Sequence, residues 1–173
     1  TPIVKKDLED MGLPQSIPAA YKSDSTWNYE VGTKSRLMGG KLMLNVALFY
    51  IDWKDIQQDV VLPNAGFDFE TNVGKARSYG IEIESRARVT QALTLTASAA
   101  FTSATFREDM PALGTDGDGN LNVRKGDRIQ GAPRYNASLG FEYGFAAFGD
   151  GHGFVRGNAQ WVGSSIGTFV FSG

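Results

Sequence analysis

The feature that most restricts this chain is an alternation of period two that passes through a hairpin without losing phase. From Trp27 onward, Trp27, Tyr29, Val31, Thr33, Ser35 and Leu37 share one face of a strand, and Asn28, Glu30, Gly32, Lys34 and Arg36 share the other. Gly39-Gly40 follows, a dipeptide suited to a two-residue turn whose central residues both need positive φ. The return strand carries Leu42, Leu44, Val46, Leu48 and Tyr50 on one face, with Met43, Asn45, Ala47 and Phe49 on the other. A turn at Gly39-Gly40 pairs Leu37 with Leu42 and Tyr29 with Tyr50, so the apolar sets coincide. A slip of one residue would set each apolar side chain against a polar one.

The pattern recurs. Tyr79, Ile81, Ile83, Ser85, Ala87 and Val89 oppose Gly80, Glu82, Glu84, Arg86 and Arg88. Thr90-Gln91-Ala92 turns the chain, and Leu93, Leu95, Ala97, Ala99 and Phe101 return. A third pair begins with Tyr135, Ala137, Leu139, Phe141, Tyr143 and Phe145 and returns less cleanly through Val155, Ala159 and Trp161. The predicted strands cover about 27–37, 42–55, 76–89, 93–105, 134–145 and 154–164, near the roughly 9–11 residues that cross a bilayer as a tilted strand. Connections within pairs are short, near 38–41, 90–92 and 146–153, and those between pairs are long, near 56–74 and 106–133.

Composition narrows the function classes. There is no cysteine, so no disulfide and no thiolate metal site. One histidine, His152, excludes a multi-histidine zinc site and leaves no credible catalytic triad, so no enzyme and no cofactor are expected. A net charge of -2 gives no global attraction to nucleic acid. Apolar residues make up 42% of the chain, yet no run approaches the roughly 18 needed for a membrane helix. Alternation spreads lipid-facing residues through the sequence, so a membrane strand keeps a low average hydropathy.

A soluble β-sandwich also alternates. Here, however, aromatics gather near strand ends, at Trp27, Tyr29, Tyr50, Tyr79, Phe101, Tyr143, Phe145 and Trp161, as interfacial girdles do. Ala97 and Ala99 on the apolar face suit lipid and fill a protein core poorly. The fold class predicted is all-β: an antiparallel up-and-down transmembrane β-barrel, present as a fragment of about six strands, with short periplasmic turns and long extracellular loops. Residues 1–24 read as an extracellular loop segment with a short helix in Ile3–Met11, and 25–173 as the partial barrel. With Thr1 first and no signal peptide, an internal segment is expected.

Three stretches resemble the barrels of TonB-dependent outer-membrane receptors. They are WNYEVGTKSRLMGGKLMLNVALFYIDWKDIQQ at 27–58, NVGKARSYGIEIES at 72–85 and GDRIQGAPRYNASLGFEY at 126–143, in the family's order. The resemblance implies a barrel of about 22 strands with an N-terminal plug inside it, in the cell outer membrane. It also implies import of a scarce ligand, often a ferric siderophore, with energy passed through TonB. No plug and no TonB-binding box are recognisable in this sequence, and the expected partners are outer-membrane lipid, a plug domain, the TonB complex and a small-molecule chelate. Uptake of a glycan by the same machinery, a passive porin-type barrel and a soluble β-domain are the alternatives.

Candidate residues follow from the faces. Glu30, Lys34, Arg36, Glu82, Glu84, Arg86, Arg88, Glu142 and Arg156 would line the lumen, either contacting the plug or forming a hydrated wall. Trp53, Phe67, Phe69 and Arg128 lie in or beside the outer loops, where aromatics and arginine suit a flat anionic chelate or pack the loops together. Asp116, Asp118 and Asn120, with Asn122 and Asp127, approach calcium-loop spacing, but Leu121 stands where the sharp turn needs glycine. No metal site is therefore expected.

Overall fold

A computed structural model describes residues 1–115 and 122–167. Six long strands form one antiparallel sheet: β1 (Ser25–Leu37), β2 (Leu42–Lys54), β5 (Lys75–Arg88), β6 (Leu93–Phe106), β7 (Tyr135–Ala146) and β8 (His152–Val162), each beside its neighbour in that order. β3 (Gln57–Leu62) and β4 (Phe67–Asn72) form a separate hairpin between β2 and β5. A helix, α1 (Pro2–Asp10), precedes them, with Pro2 in its first turn and the Thr1 hydroxyl accepting the Val4 amide. Among the described residues the sheet is open, with β1 and β8 at its two edges.

The register is the one the alternation demands. Leu37 faces Leu42 and Tyr29 faces Tyr50. The phase then carries across every strand, as in the row Val46–Ile83–Ala99–Ala137–Trp161. One face of the sheet is predominantly apolar from the short turns to the tyrosine level Tyr29–Tyr50–Tyr79, yet its large side chains remain exposed, Val31 at 67% and Leu139 at 66% among them. A water-soluble domain would cover such a face; lipid covers it in a barrel.

The short turns lie at one end of the sheet. Between Leu37 and Leu42 the chain makes a 3₁₀ turn over Met38–Gly40 with positive φ at Met38, Gly39 and Gly40, and the Lys41 amide donates to the Met38 carbonyl. Thr90 Oγ1 accepts the amides of Ala92 and Leu93 in the second turn. The third is shorter than the 146–153 read from sequence, because β8 already starts at His152.

The long connections fold together at the other end. Leu8 and Met11 of the α1 region, Val60 and Leu62 of β3, Val73, and Met110, Ala112 and Val123 of the β6–β7 connection make one buried cluster. This cap corrects one expectation: the 56–74 connection is not a plain loop, because β3 and β4 pair within it from Gln57↔Asn72 to Leu62↔Phe67. The short helix expected in Ile3–Met11 is α1, and it supplies Leu8 to the cap core. The physical reason is mutual: none of these short pieces has an apolar face large enough to bury alone, and together they close one.

Candidate functional site

The polar face of the sheet carries its charges in levels. Nearest the short turns runs Arg88–Thr94–Glu142–Arg156, and above it Arg36–Met43–Arg86–Thr96–Gly140–Asn158. Next comes Lys34–Asn45–Glu84–Ser98–Ser138–Gln160, then a level containing Gly32, Ala47 and Glu82, then Glu30–Phe49–Gly80–Thr102. All nine residues expected to line the lumen thus share this face. Arginines dominate at the turn end and glutamates in the middle.

Few of these charges are neutralised within the wall. Arg156 Nε donates to Glu142 Oε2 at 2.7 Å, and Asn45 Nδ2 donates to Glu84 Oε2 at 3.4 Å. Ser98 and Ser138 hydroxyls lie 2.7 Å apart. Among the described residues, Arg36, Arg86 and Arg88 form no ion pair within 4.0 Å. The Phe49 ring lies against Gly80, where a Cβ would stand 2.7 Å from the ring and would collide with the Phe101 carbonyl oxygen. Glycine is therefore required at position 80 for that aromatic to lie flat on the wall.

At the loop end, three of the four loop candidates are tied into structure. Trp53 Nε1 donates to Asp24 Oδ2 at 2.7 Å. Phe69 packs on the cap core. Arg128 Nη2 donates to the carbonyls of Ala132 at 3.0 Å and Ser164 at 3.3 Å, holding the β6–β7 connection to the segment after β8. Phe67 remains exposed. The calcium candidates Asp116, Asp118 and Asn120 lie outside the described residues, and Asn122 and Asp127 serve loop hydrogen bonds with Leu113 and Arg124.

A groove of about 690 Å³ in the cap escaped the sequence reading. It runs between α1, β3 and the β6–β7 connection, lined by Asp7, Asp59, Val61, Asn64, Leu113 and Asn122 among others. No single-segment pattern could reveal it, because its walls come from three distant stretches. Asp7, almost fully buried, accepts hydrogen bonds from both Asn64 nitrogens and from the Ala65 amide. Burial pushes its carboxyl up, but these hydrogen bonds and the nearby Lys6 charge hold it below the ordinary aspartate value.

Comparison with known proteins decides the class. Residues 10–170 match the family described as TonB dependent receptor-like, beta-barrel. The chain belongs to that family. The metal-pseudopaline receptor CntO of Pseudomonas aeruginosa is 26% identical over 171 residues, 97% of this chain but 22% of that protein. An uncharacterized TonB-dependent receptor of Haemophilus influenzae is 28% identical over 137 residues, 79% of this chain and 36% of that protein. The ferric yersiniabactin uptake receptor FyuA from Yersinia pestis shares the fold, with a TM-score of 0.64 at 22% identity over 90% of this chain and 22% of that one. The chain thus spans about a fifth of CntO's length. As part of a TonB-dependent receptor barrel it is an outer-membrane segment.

Proposed function

We propose that the segment forms part of the wall and outer loop cap of an active importer that takes up a metal chelate, a ferric siderophore in the first instance. The observation that carries the reading is the division of one sheet into a largely apolar face and a charged face, beneath a folded cap that holds a groove. A passive pore needs the wall but gives no reason for inner-face charges left unpaired within it; a plug does. In this reading Glu30, Lys34, Arg36, Glu82, Glu84, Arg86, Arg88, Glu142 and Arg156 face the plug and the solute path. The long-connection end faces the medium, and the plug relays energy from TonB.

A chelate is favoured over a glycan because a relative matched along nearly the whole chain is named for a metal complex. Within the cap, the exposed ring of Phe67 and the groove beside β3 are the surfaces open to such a ligand. The test is uptake of radiolabelled iron as a ferric siderophore by cells with and without the intact receptor and with and without TonB. Uptake that needs both supports the reading; uptake indifferent to TonB overturns it in favour of a pore.

A further inference from the structure

At its loop end the lipid face changes character over three successive levels. The row Val31–Leu48–Ile81–Phe101 is apolar, and the next is Tyr29–Tyr50–Tyr79. Beyond it stands Trp27–Asp52–Arg77, and beyond that Lys54 pairs directly with Lys75. Arg107 adjoins Lys75, donating its amide to the Lys75 carbonyl at 2.7 Å. The cations therefore stand about 7 and 14 Å along the strands beyond the tyrosines, less along the membrane normal because the strands tilt. That is headgroup depth.

The charge there is not balanced internally. Asp52 serves both Arg107 at 2.6 Å and Lys54 at 3.4 Å, and Glu108 serves Lys75 at 3.2 Å. Four cations thus face two carboxylates. Among the described residues Arg77 forms no ion pair, and its guanidinium lies 5.9 Å from the centroid of the Tyr79 ring. Like charges placed directly opposite, as Lys54 and Lys75 are, destabilise a sheet unless an anion offsets them. The same face at the short-turn end, at Leu37, Leu42, Ala87, Leu95, Phe141 and Tyr143, carries no cation. The patch is one-sided and points away from the lumen, so neither plug nor transported ligand accounts for it.

We propose that Lys54, Lys75, Arg77 and Arg107 bind the phosphates of a phosphorylated lipid headgroup in the extracellular leaflet, above the Tyr29–Tyr50–Tyr79 row. The proposal rests on the orientation given above, with the loop end outside. Arginine forks and lysine point charges suit phosphate oxygens, and the tyrosine row seats the acyl–headgroup boundary.

The test uses the full-length receptor, folded in nonionic detergent, with bis-phosphorylated or enzymatically dephosphorylated lipid A as probe and native mass spectrometry as readout. The wild type retains the phosphorylated lipid. Removing the lipid phosphates weakens retention, and introducing Lys75→Gln with Arg77→Gln weakens it about thirtyfold, the scale for losing two cations beside an anionic surface. Lys41→Gln, in a turn at the other end, leaves it unchanged. Inorganic phosphate at the lipid's concentration does not displace the lipid; displacement would mean a site for the free ion and would overturn the proposal. So would a heat-modifiable, folded double variant that retains lipid as the wild type does. Labelling of an Asn64→Cys variant on intact cells separates the two failures. Labelling from outside with unchanged retention sinks only the lipid site, whereas labelling only after the outer membrane is opened sinks the orientation beneath it.

Discussion

In the cap, Leu8, Val60, Leu62 and Val123 are wholly inaccessible, whereas in the sheet Leu48 and Leu139 lie 50% and 66% exposed. The cap buries its apolar groups against each other and needs no other solvent than water. The sheet satisfies its backbone through the strand ladder and leaves its apolar face uncovered by protein; in the reading proposed above, lipid covers it. One chain therefore holds two regions whose stability obeys different rules, and a side chain's effect depends on which solvent replaces it.

The largest separation between the regions comes from deleting apolar volume. Leu62→Ala opens a void in the closed cap core and costs about 2–5 kcal/mol of cap stability. Leu48→Ala on the lipid face costs well under about 1 kcal/mol, because acyl chains fill the space. Limited proteolysis of the outer loops reads the first, and heat-modifiable gel migration of the full-length receptor reads the second. Equal effects on barrel assembly would erase the distinction.

Next in size is a charge placed on either side of one strand. Ile83 lies mid-strand on the lipid face and Glu84 on the inner face. Ile83→Arg costs about 2–4 kcal/mol at the bilayer midplane and sharply reduces folded barrel, while Glu84→Arg leaves assembly nearly intact. Greater damage from Glu84→Arg would invert the faces.

A smaller effect is confined to the cap and depends on pH. Because folding lowers the Asp7 pKa, its carboxylate stabilises the cap fully above the ordinary value of 3.8, and that contribution is lost as pH falls through the depressed folded value. Protease sensitivity of the outer loops should therefore rise in acid while the barrel band persists. Asp7→Asn should flatten that pH response; a wild-type response surviving in Asp7→Asn would assign it to another group.

The smallest effect concerns the exposed pair Arg156–Glu142 on the inner face. Breaking it with Arg156→Ala changes barrel stability by only about 0–1 kcal/mol, less at high salt. A denaturant titration of the refolded barrel at two salt concentrations measures it.

The nine charged residues on one face of the sheet are legible in the sequence because each sits at a fixed parity from an apolar neighbour, and a strand turns parity into a face. The sequence reaches Trp53, Phe69 and Arg128 only as residue types near loops. It could not foresee that the Trp53 indole is held by Asp24, that Phe69 packs on the cap, or that Arg128 clasps Ala132 and Ser164. The β3–β4 hairpin escaped because its six-residue strands are too short to establish a period beside Pro63 and Gly66.

By itself, then, the order of residues determined the strands, their register and the two faces of the sheet. Each depends on local alternation and on turns such as Gly39-Gly40, whose geometry is set within a few positions. Tertiary structure alone decided the cap and its groove. There the partners stand tens of residues apart, as Asp7 does from Asn64 and Leu8 from Val123, and no repeat in the chain announces a contact made only when distant segments close over the same space.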